Sequence, residues 1–365
     1  MPSRGTSREG GKSLSETGEL PAGIMPDFRR ELPPYLQDKA GTWVWHEEVG
    51  PGIIKHIARD GSELWSVRIL LPPNGLLAAE SLRKLAGFIR KYALTGRRTF
   101  RQGFELVGVN PAELDNLLEE LAAAGFPVGG TGRTLHQIKC CTSFVHCQNA
   151  ALDAPSMAKV LGDYLYRHFR IPELPAPLKV SISGCPNSCG GGVEADIGIL
   201  GVFADFPEVN DRDLIAANED IGLLISWCPT GAIRPKRIAE GTSVTINEER
   251  CVRCTSCAQA APRGIRMGIN RGAAILVGGR GGSRPSLGQV IFPFIPVRPL
   301  DYGEICRRIS VILDVWIRES RPGERLAAFI ERLGKDHFCE LLGVDGAGSP
   351  AGEKGRDHVV LPKYT

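Results

Sequence analysis

The chain has 365 residues, is 42% hydrophobic and carries a net charge of only +3, as expected of a globular protein built from two or three compact units. This excludes a polyelectrolyte that holds nucleic acid by bulk charge and a small disulfide-stapled scaffold. It also excludes a membrane-spanning helix, since the most apolar run, VIFPFIPV, is short and broken by Pro293 and Pro296. The opening residues, MPSRGTSREGGKSLSETGEL, are polar and Gly/Ser-rich without an apolar signal segment. Residues 1–25 are therefore expected to be a mobile arm, and the chain to work in a reducing cytoplasm.

Between residues 40 and 70, the run WSVRILL is bounded by an Asp60-Gly61 turn signal and by Pro72-Pro73, which predicts a hairpin. LLAAESLRKLAGFIRKYAL then places Leu77, Ala78, Leu82, Leu85, Ala86, Ile89 and Ala93 at helical spacing. That is an amphipathic helix with a basic outer face, stopped by a Thr95-Gly96 break. FELVGV predicts a strand, and PAELDNLLEELAAAG a helix opening at Pro111 and ending on Gly125. Strand, helix, strand, helix on one sheet indicate an α+β unit. Farther on, DAPSMAKVLGDYLYRHF predicts a helix, and LKVSISG a strand running directly into Cys185. Residues 206–270 change character, holding a whole set of cysteines with little apolar mass, as an inserted cluster-binding module would. AAILVGGRGG and QVIFPFIPV return to strand, and DYGEICRRISVILDVWIRESRPGERLAAFIERLG gives two helices split around Pro322-Gly323.

Eight of the 11 cysteines fall into two sets of four. The first joins Cys141 and Cys147 (C-x5-C) to Cys185 and Cys189 (C-x3-C); the second joins Cys228, in WCPTGAI, to Cys251, Cys254 and Cys257 in CVRCTSC. Short spacings of this kind wrap the backbone around a cubane so that thiolates converge on its iron corners. Zinc accepts the same four thiolates, but its sites usually present paired C-x2-C knuckles. Three cysteines on one tight loop plus a distant Cys-Pro fit a [4Fe-4S] cluster better. In CVRCTSC the position of a fourth ferredoxin cysteine is Ala261, before Pro262, so this module is expected to hold one cubane only. Two clusters in one chain imply electron transfer. Cys306 and Cys339 lie on amphipathic helices and read as core thiols.

The first set resembles the signature of the sirohaem-dependent sulfite and nitrite reductases. RRTFRQGFELVGV resembles the family's arginine-bearing strand, and WHEEVGPGIIKHIARDG, GFPVGGT, CPTGAI and AAILVGGR resemble the beta subunits of its dissimilatory branch. The likeness covers nearly everything beyond the first 25 or so residues. It implies an α+β fold: a ferredoxin-like half-domain over 26–130, a sirohaem and [4Fe-4S] domain over 131–205 and 271–365, and an inserted ferredoxin-type module over 206–270. It also implies that Cys141, Cys147, Cys185 and Cys189 hold a cubane, with Cys189 bridging to sirohaem iron, and that the cofactors are sirohaem and two [4Fe-4S] clusters. The activity implied is six-electron reduction of sulfite to sulfide, or to a protein-bound sulfur intermediate. Partners would be an alpha subunit in an alpha2beta2 complex and a small sulfur-carrier protein with a C-terminal cysteine. Alternatives are a non-catalytic electron-transfer subunit, or a nitrite-reducing or sulfur-oxidising relative.

A pocket for an inorganic anion needs fixed positive charge and proton donors. Arg101 is the first candidate, because a guanidinium donates a planar fork to two oxygens and stays charged. Lys179 is the second, as a compact ammonium able to give up a proton, and Arg133 the third. Arg97 and Arg98, with Arg101, would meet the carboxylates of the sirohaem. The family strand carries Lys-x-Lys before SGC, whereas here the first of these positions is Pro177.

Overall fold

The computed structural model describes residues 27–298 and 300–344, so the arm expected at residues 1–25 lies outside the described residues. After a short helix α1 (Pro34–Asp38) come three antiparallel strands, β1 (Trp43–Gly50), β2 (Ile53–Ala58) and β3 (Glu63–Ile69). The expected hairpin is thus a three-stranded meander. Its extra strand, β1, leaves most of WVWHEEVG exposed on both faces, so no apolar/polar alternation announces it. Gly61 makes the β2–β3 turn at φ +82°, a left-handed conformation suited to glycine.

Helix α2 (Ala79–Tyr92), strands β4 (Thr95–Arg98) and β5 (Phe104–Val109), and helix α3 (Leu114–Ala123) complete this unit. The sheet runs β1-β2-β3-β5-β4 and is antiparallel throughout. Leu85, Leu117 and Leu121 of the helices pack on Val67, Ile69, Leu106 and Val109, all buried. Each such side chain contributes roughly 1.5–3 kcal/mol by leaving water. Thr95-Gly96 does end the helix as expected, but it also opens β4, with Thr95 opposite Val107 and Gly96 opposite Leu106.

The second unit begins with β6 (Lys139–Cys140), α4 (Ala154–Tyr164), α5 (Tyr166–Arg170), β7 (Val180–Ser183) and β8 (Ile197–Phe203). Next comes a segment with its own small core of Leu214, Leu224, Ile233, Val244 and Ile265. It contains β9 (Glu208–Val209), α6 (Asp211–Ala216), α7 (Ile221–Ser226), the β10 (Ile233–Ile238) and β11 (Gly241–Ile246) hairpin, α8 (Ser256–Ala260) and β12 (Ile265–Arg266). The chain then returns through β13 (Arg271–Val277) and β14 (Gln289–Pro296) to α9 (Gly303–Glu319), α10 (Leu326–Leu333) and α11 (Lys335–Leu341).

The second sheet has the order β14-β13-β8-β7-β6, parallel across β6, β7 and β8 and antiparallel beyond. β7 and β8 are buried along their whole length, as the mixed centre of a sheet covered on both faces must be. Trp316, Phe329 and Phe338 of the last three helices pack into the core of Ile197, Ile199 and Ile275. Cys306 and Cys339 are 1% and 2% exposed there, as core thiols should be. Among the described residues no helix is long and apolar enough to cross a membrane.

Candidate functional site

The first cysteine set gathers at the C-terminal ends of β6 and β7. Cys141 follows β6 directly, and its backbone N–H donates to the Ile182 carbonyl. Cys185 follows β7, and the Gly184 N–H donates to the Cys141 thiol at 3.1 Å. Cys147 is drawn in because its N–H donates to the Ser143 carbonyl at 2.8 Å, with Ser143 turned to φ +45°. Ser188, at φ +54°, bends the loop between Cys185 and Cys189. Gly190 then lies so close to β7 that an added Cβ would stand 2.2 Å from the Ile182 carbonyl oxygen. Cys185 is buried, Cys141 and Cys147 are half-buried, and Cys189 is exposed.

Burial, together with the neighbouring Cys189, Cys147 and Cys141 thiols, pushes Cys185 up to about 11, so the bare thiol stays protonated at neutral pH. A metal cluster would displace that proton on binding. His146, in the same loop, is exposed. Cys140 belongs to the core, and burial pushes it up to about 12.

Beside this set opens a cavity of about 140 Å³, lined by Phe100, Arg101, Gln137, Lys139, Lys179, Gly191, Glu194 and Gly281 among others. Arg101 reaches it from the tight β4–β5 loop, in which Thr99 N–H donates to the Gly103 carbonyl at 2.8 Å. Gln102, at φ +65°, uses both ends of its amide on Cys140, accepting from its N–H at 3.0 Å and donating to its carbonyl at 2.7 Å. The arginine loop is thereby pinned to the strand that delivers Cys141. Lys139 on β6 and Lys179 at the start of β7 bring two ammonium groups to the same cavity. Among the described residues, Arg101, Lys139 and Lys179 have no carboxylate partner within 4.0 Å.

Burial and the nearby Arg68 and Arg325 guanidiniums lower the Arg101 pKa. Burial, Arg101 and Arg325 likewise lower that of Lys179. Crowded cations of this kind favour an anionic occupant.

Sequence reasoning did not point to the layer behind these residues. Arg68 of β3 pairs with buried Glu105 at 3.2 Å. Arg325, at the start of α10, donates to both oxygens of Asp196 at 2.8 and 3.0 Å. Asp196 is 1% exposed and also accepts from the Lys179 N–H at 2.9 Å. The Nε atoms of Arg68 and Arg325 and Nδ1 of His136 are buried without a partner. Nothing local in the sequence could have found this layer, because its members come from four distant segments.

Burial and the adjacent Arg101 push His136 down to about 4, so it is neutral in the fold. The unfolded chain takes up that proton near pH 6.5, and stability from this group is therefore lost as pH falls. Between pH 7 and 5 the loss is about 2 kcal/mol. The expected result is a melting temperature that falls more steeply over this range in the parent than in His136→Asn, read by thermal unfolding in parallel buffers.

The other sequence candidates lie apart from the cavity. Arg97 donates through Nε to Glu105 at 2.6 Å, Arg98 is exposed with its guanidinium against Gly75, and Arg133 donates through Nε to the Leu174 carbonyl at 2.9 Å. None of the three is among the cavity-lining residues.

All four cysteines of the second set line one small cavity. Arg253 and Thr255, at φ +53° and +71°, curl CVRCTSC around it. Cys228 receives the Ala232 N–H at 3.2 Å. Burial pushes the Cys228 thiol up, but the N–H groups of Ala232, Thr230 and Ile233 outweigh it and hold the pKa below the usual value. Among the described residues, no three His, Cys, Asp or Glu side chains close on one point as a single bare ion requires.

Two family models match the chain: the nitrite and sulphite reductase 4Fe-4S domain over residues 131–347 and the nitrite/sulfite reductase ferredoxin-like half domain over residues 56–124. The beta subunit of dissimilatory-type sulfite reductase from Archaeoglobus fulgidus is 32% identical, covering 88% of this chain and 89% of that protein. That of Nitratidesulfovibrio vulgaris is 30% identical over 87% of each. A dissimilatory-type alpha subunit from Allochromatium vinosum is 26% identical over 81% of this chain and 75% of its own. The crystal structure of dissimilatory sulfite reductase I shares the fold, with a TM-score of 0.76 at 22% identity over 87% of this chain and 81% of that one. The two family models and these relatives show that the chain belongs to the nitrite and sulphite reductase family, alongside the dissimilatory-type sulfite reductase subunits.

Proposed function

We propose that this chain is the beta-type subunit of a dissimilatory sulfite reductase, reducing sulfite by six electrons to sulfide or to a protein-bound sulfur intermediate. The observation that carries the reading is the cavity in which Arg101, Lys139 and Lys179 converge beside the first cysteine set. Cys141, Cys147, Cys185 and Cys189 would hold one [4Fe-4S] cluster, with the exposed Cys189 as the thiolate shared with sirohaem. The cavity's cations, which have no carboxylate partner within 4.0 Å among the described residues, suit the carboxylates of that macrocycle. When bound, the coupled sirohaem and cluster supply electrons to a substrate held at the iron.

The chain's own part is electrostatic. Arg101 offers a fork of N–H donors to two oxygens of the anion, and closing the cavity strengthens that contact by excluding water. Lys179, with its pKa lowered by burial and by Arg101, is a readier proton donor than a free lysine and serves the oxygens that leave as water. Pro177 removes one family lysine, but Lys139, on the strand paired with β7, brings a second ammonium to the same space. Cys228, Cys251, Cys254 and Cys257 would hold a second [4Fe-4S] cluster that receives electrons from a donor. The working assembly is an alpha2beta2 complex in the cytoplasm, with a small sulfur carrier as acceptor.

The test is a visible spectrum of the anaerobically purified complex, with iron and acid-labile sulfide quantified, followed by sulfite-dependent oxidation of a reduced viologen. Sirohaem bands, iron for two cubanes in this chain and turnover are the expected results. Sirohaem without turnover would favour a structural, electron-transferring role, and cubane iron without sirohaem would overturn the catalytic reading.

A further inference from the structure

The two cysteine sets are joined by a neck with an arginine lying against aromatic rings at each end and a hydrogen-bonded crossing between them. The chain leaves the second sheet through Phe203-Ala204-Asp205-Phe206 and returns through Gly268-Ile269-Asn270-Arg271. Phe203 and Arg271 face each other as paired residues of β8 and β13. The Arg271 guanidinium lies 5.9 Å from the Phe203 ring centroid and 5.7 Å from that of Phe144. Phe144 belongs to the loop between Cys141 and Cys147, so Arg271 ties the first cysteine set to the neck.

On the far side, Arg253, between Cys251 and Cys254, stands 5.0 Å from the Phe206 ring centroid and donates to the Ala204 carbonyl at 2.7 Å. Arg253 is only 8% exposed. The crossing itself is stapled. Ala204 N–H donates to the Asn270 carbonyl at 2.9 Å, and the Asp205 carboxylate accepts from both the backbone and the side-chain N–H of Asn270, each at 2.9 Å. Gly268 packs so tightly on Asp205 that a Cβ would stand 2.2 Å from the Asp205 Cβ.

We infer that this neck fixes the distance and orientation between the two cysteine sets for electron passage within one chain, and that Arg271 is its positioning residue. The inference rests on the reading that both sets hold [4Fe-4S] clusters. The guanidinium is attracted to the faces of both rings, which holds an otherwise exposed loop in one place. In the step concerned, one electron would leave a reduced cluster held by Cys228, Cys251, Cys254 and Cys257 and would reduce a cluster held by Cys141, Cys147, Cys185 and Cys189. No proton or bond is exchanged, and a one-electron viologen replaces the electron lost.

The experiment compares parent, Arg271→Met and Phe144→Leu complexes, purified anaerobically and assayed first for iron and acid-labile sulfide. Reduction by viologen is then followed by freeze-quench electron paramagnetic resonance, which reports each cluster separately. With iron unchanged, the second-set cluster is expected to reduce at the parental rate in both variants. Transfer onward to the first set should slow about tenfold in Arg271→Met, as a small misplacement does to a distance-critical step, and less in Phe144→Leu. Parental onward rates in either loaded variant would overturn the inference. A parent complex without iron for two clusters would instead fail the underlying reading, and would do so at the iron assay, before any rate is compared.

Discussion

Replacing Arg101 with Ala is expected to lower kcat/KM for sulfite by about 10²–10³-fold, the range seen when one preorganised donor to a developing oxyanion is removed. Arg101 is half-buried and has no carboxylate partner within 4.0 Å among the described residues, so little else consumes its charge. The β4–β5 loop keeps its turn through Thr99 and its clamp through Gln102, neither of which uses the guanidinium. Iron and sirohaem content should therefore hold while turnover falls. Arg101→Lys should recover only part of the loss, because an ammonium keeps the charge but not the planar fork. Steady-state viologen oxidation across a range of sulfite concentrations measures this. An unchanged kcat/KM in the Ala variant would remove the cavity from the chemistry.

The second large effect is on stability. Asp196→Ala is expected to destabilise the fold by about 3–5 kcal/mol, the usual cost of removing one member of a buried ion pair. Asp196 is 1% exposed and accepts from Arg325 twice and from the Lys179 N–H once. Its loss strands a guanidinium whose Nε already lacks a partner, and it frees the backbone at the start of β7. Asp196→Ala combined with Arg325→Met should be less harmful than Asp196→Ala alone, since the stranded charge is gone. Denaturant unfolding of the parent, Asp196→Ala, Arg325→Met and the double variant gives the coupling directly, and a double variant no more stable than Asp196→Ala would show that the pair is not the cause.

Much of this was legible in the chain. FELVGV is β5, LKVSISG contains β7 running into Cys185, and both helices around Pro322-Gly323 form as expected. Local periodicity sufficed there because the segments are buried on one side or throughout. α11 went unforeseen, being a seven-residue helix that starts immediately after Gly334. β4 also carried no signal of its own, since its pairing with β5 depends on residues across a loop.

The cysteine sets stood out by their spacing along the backbone, and the four members of the second line one cavity. The cationic cavity was only half so. Arg101 and Lys179 stood in recognisable motifs, whereas Lys139, Arg68 and Arg325 came together through sheet pairing and helix docking, which leave no mark on neighbouring residues. Arg133 sat in a promising place in the sequence and is spent on a loop carbonyl.

Phe203 and Arg271 are partners on adjacent antiparallel strands, so the segment between them leaves and re-enters the sheet at almost the same point. In topological terms the segment is an enlarged hairpin turn, and the closure entropy of such a turn rises only slowly with its length. Its small core of Leu214, Leu224 and Ile233 is separate from that of the sheet. The turn can consequently melt as a local unit while the strands beneath keep their register, so damage confined to it need not spread to the sheet.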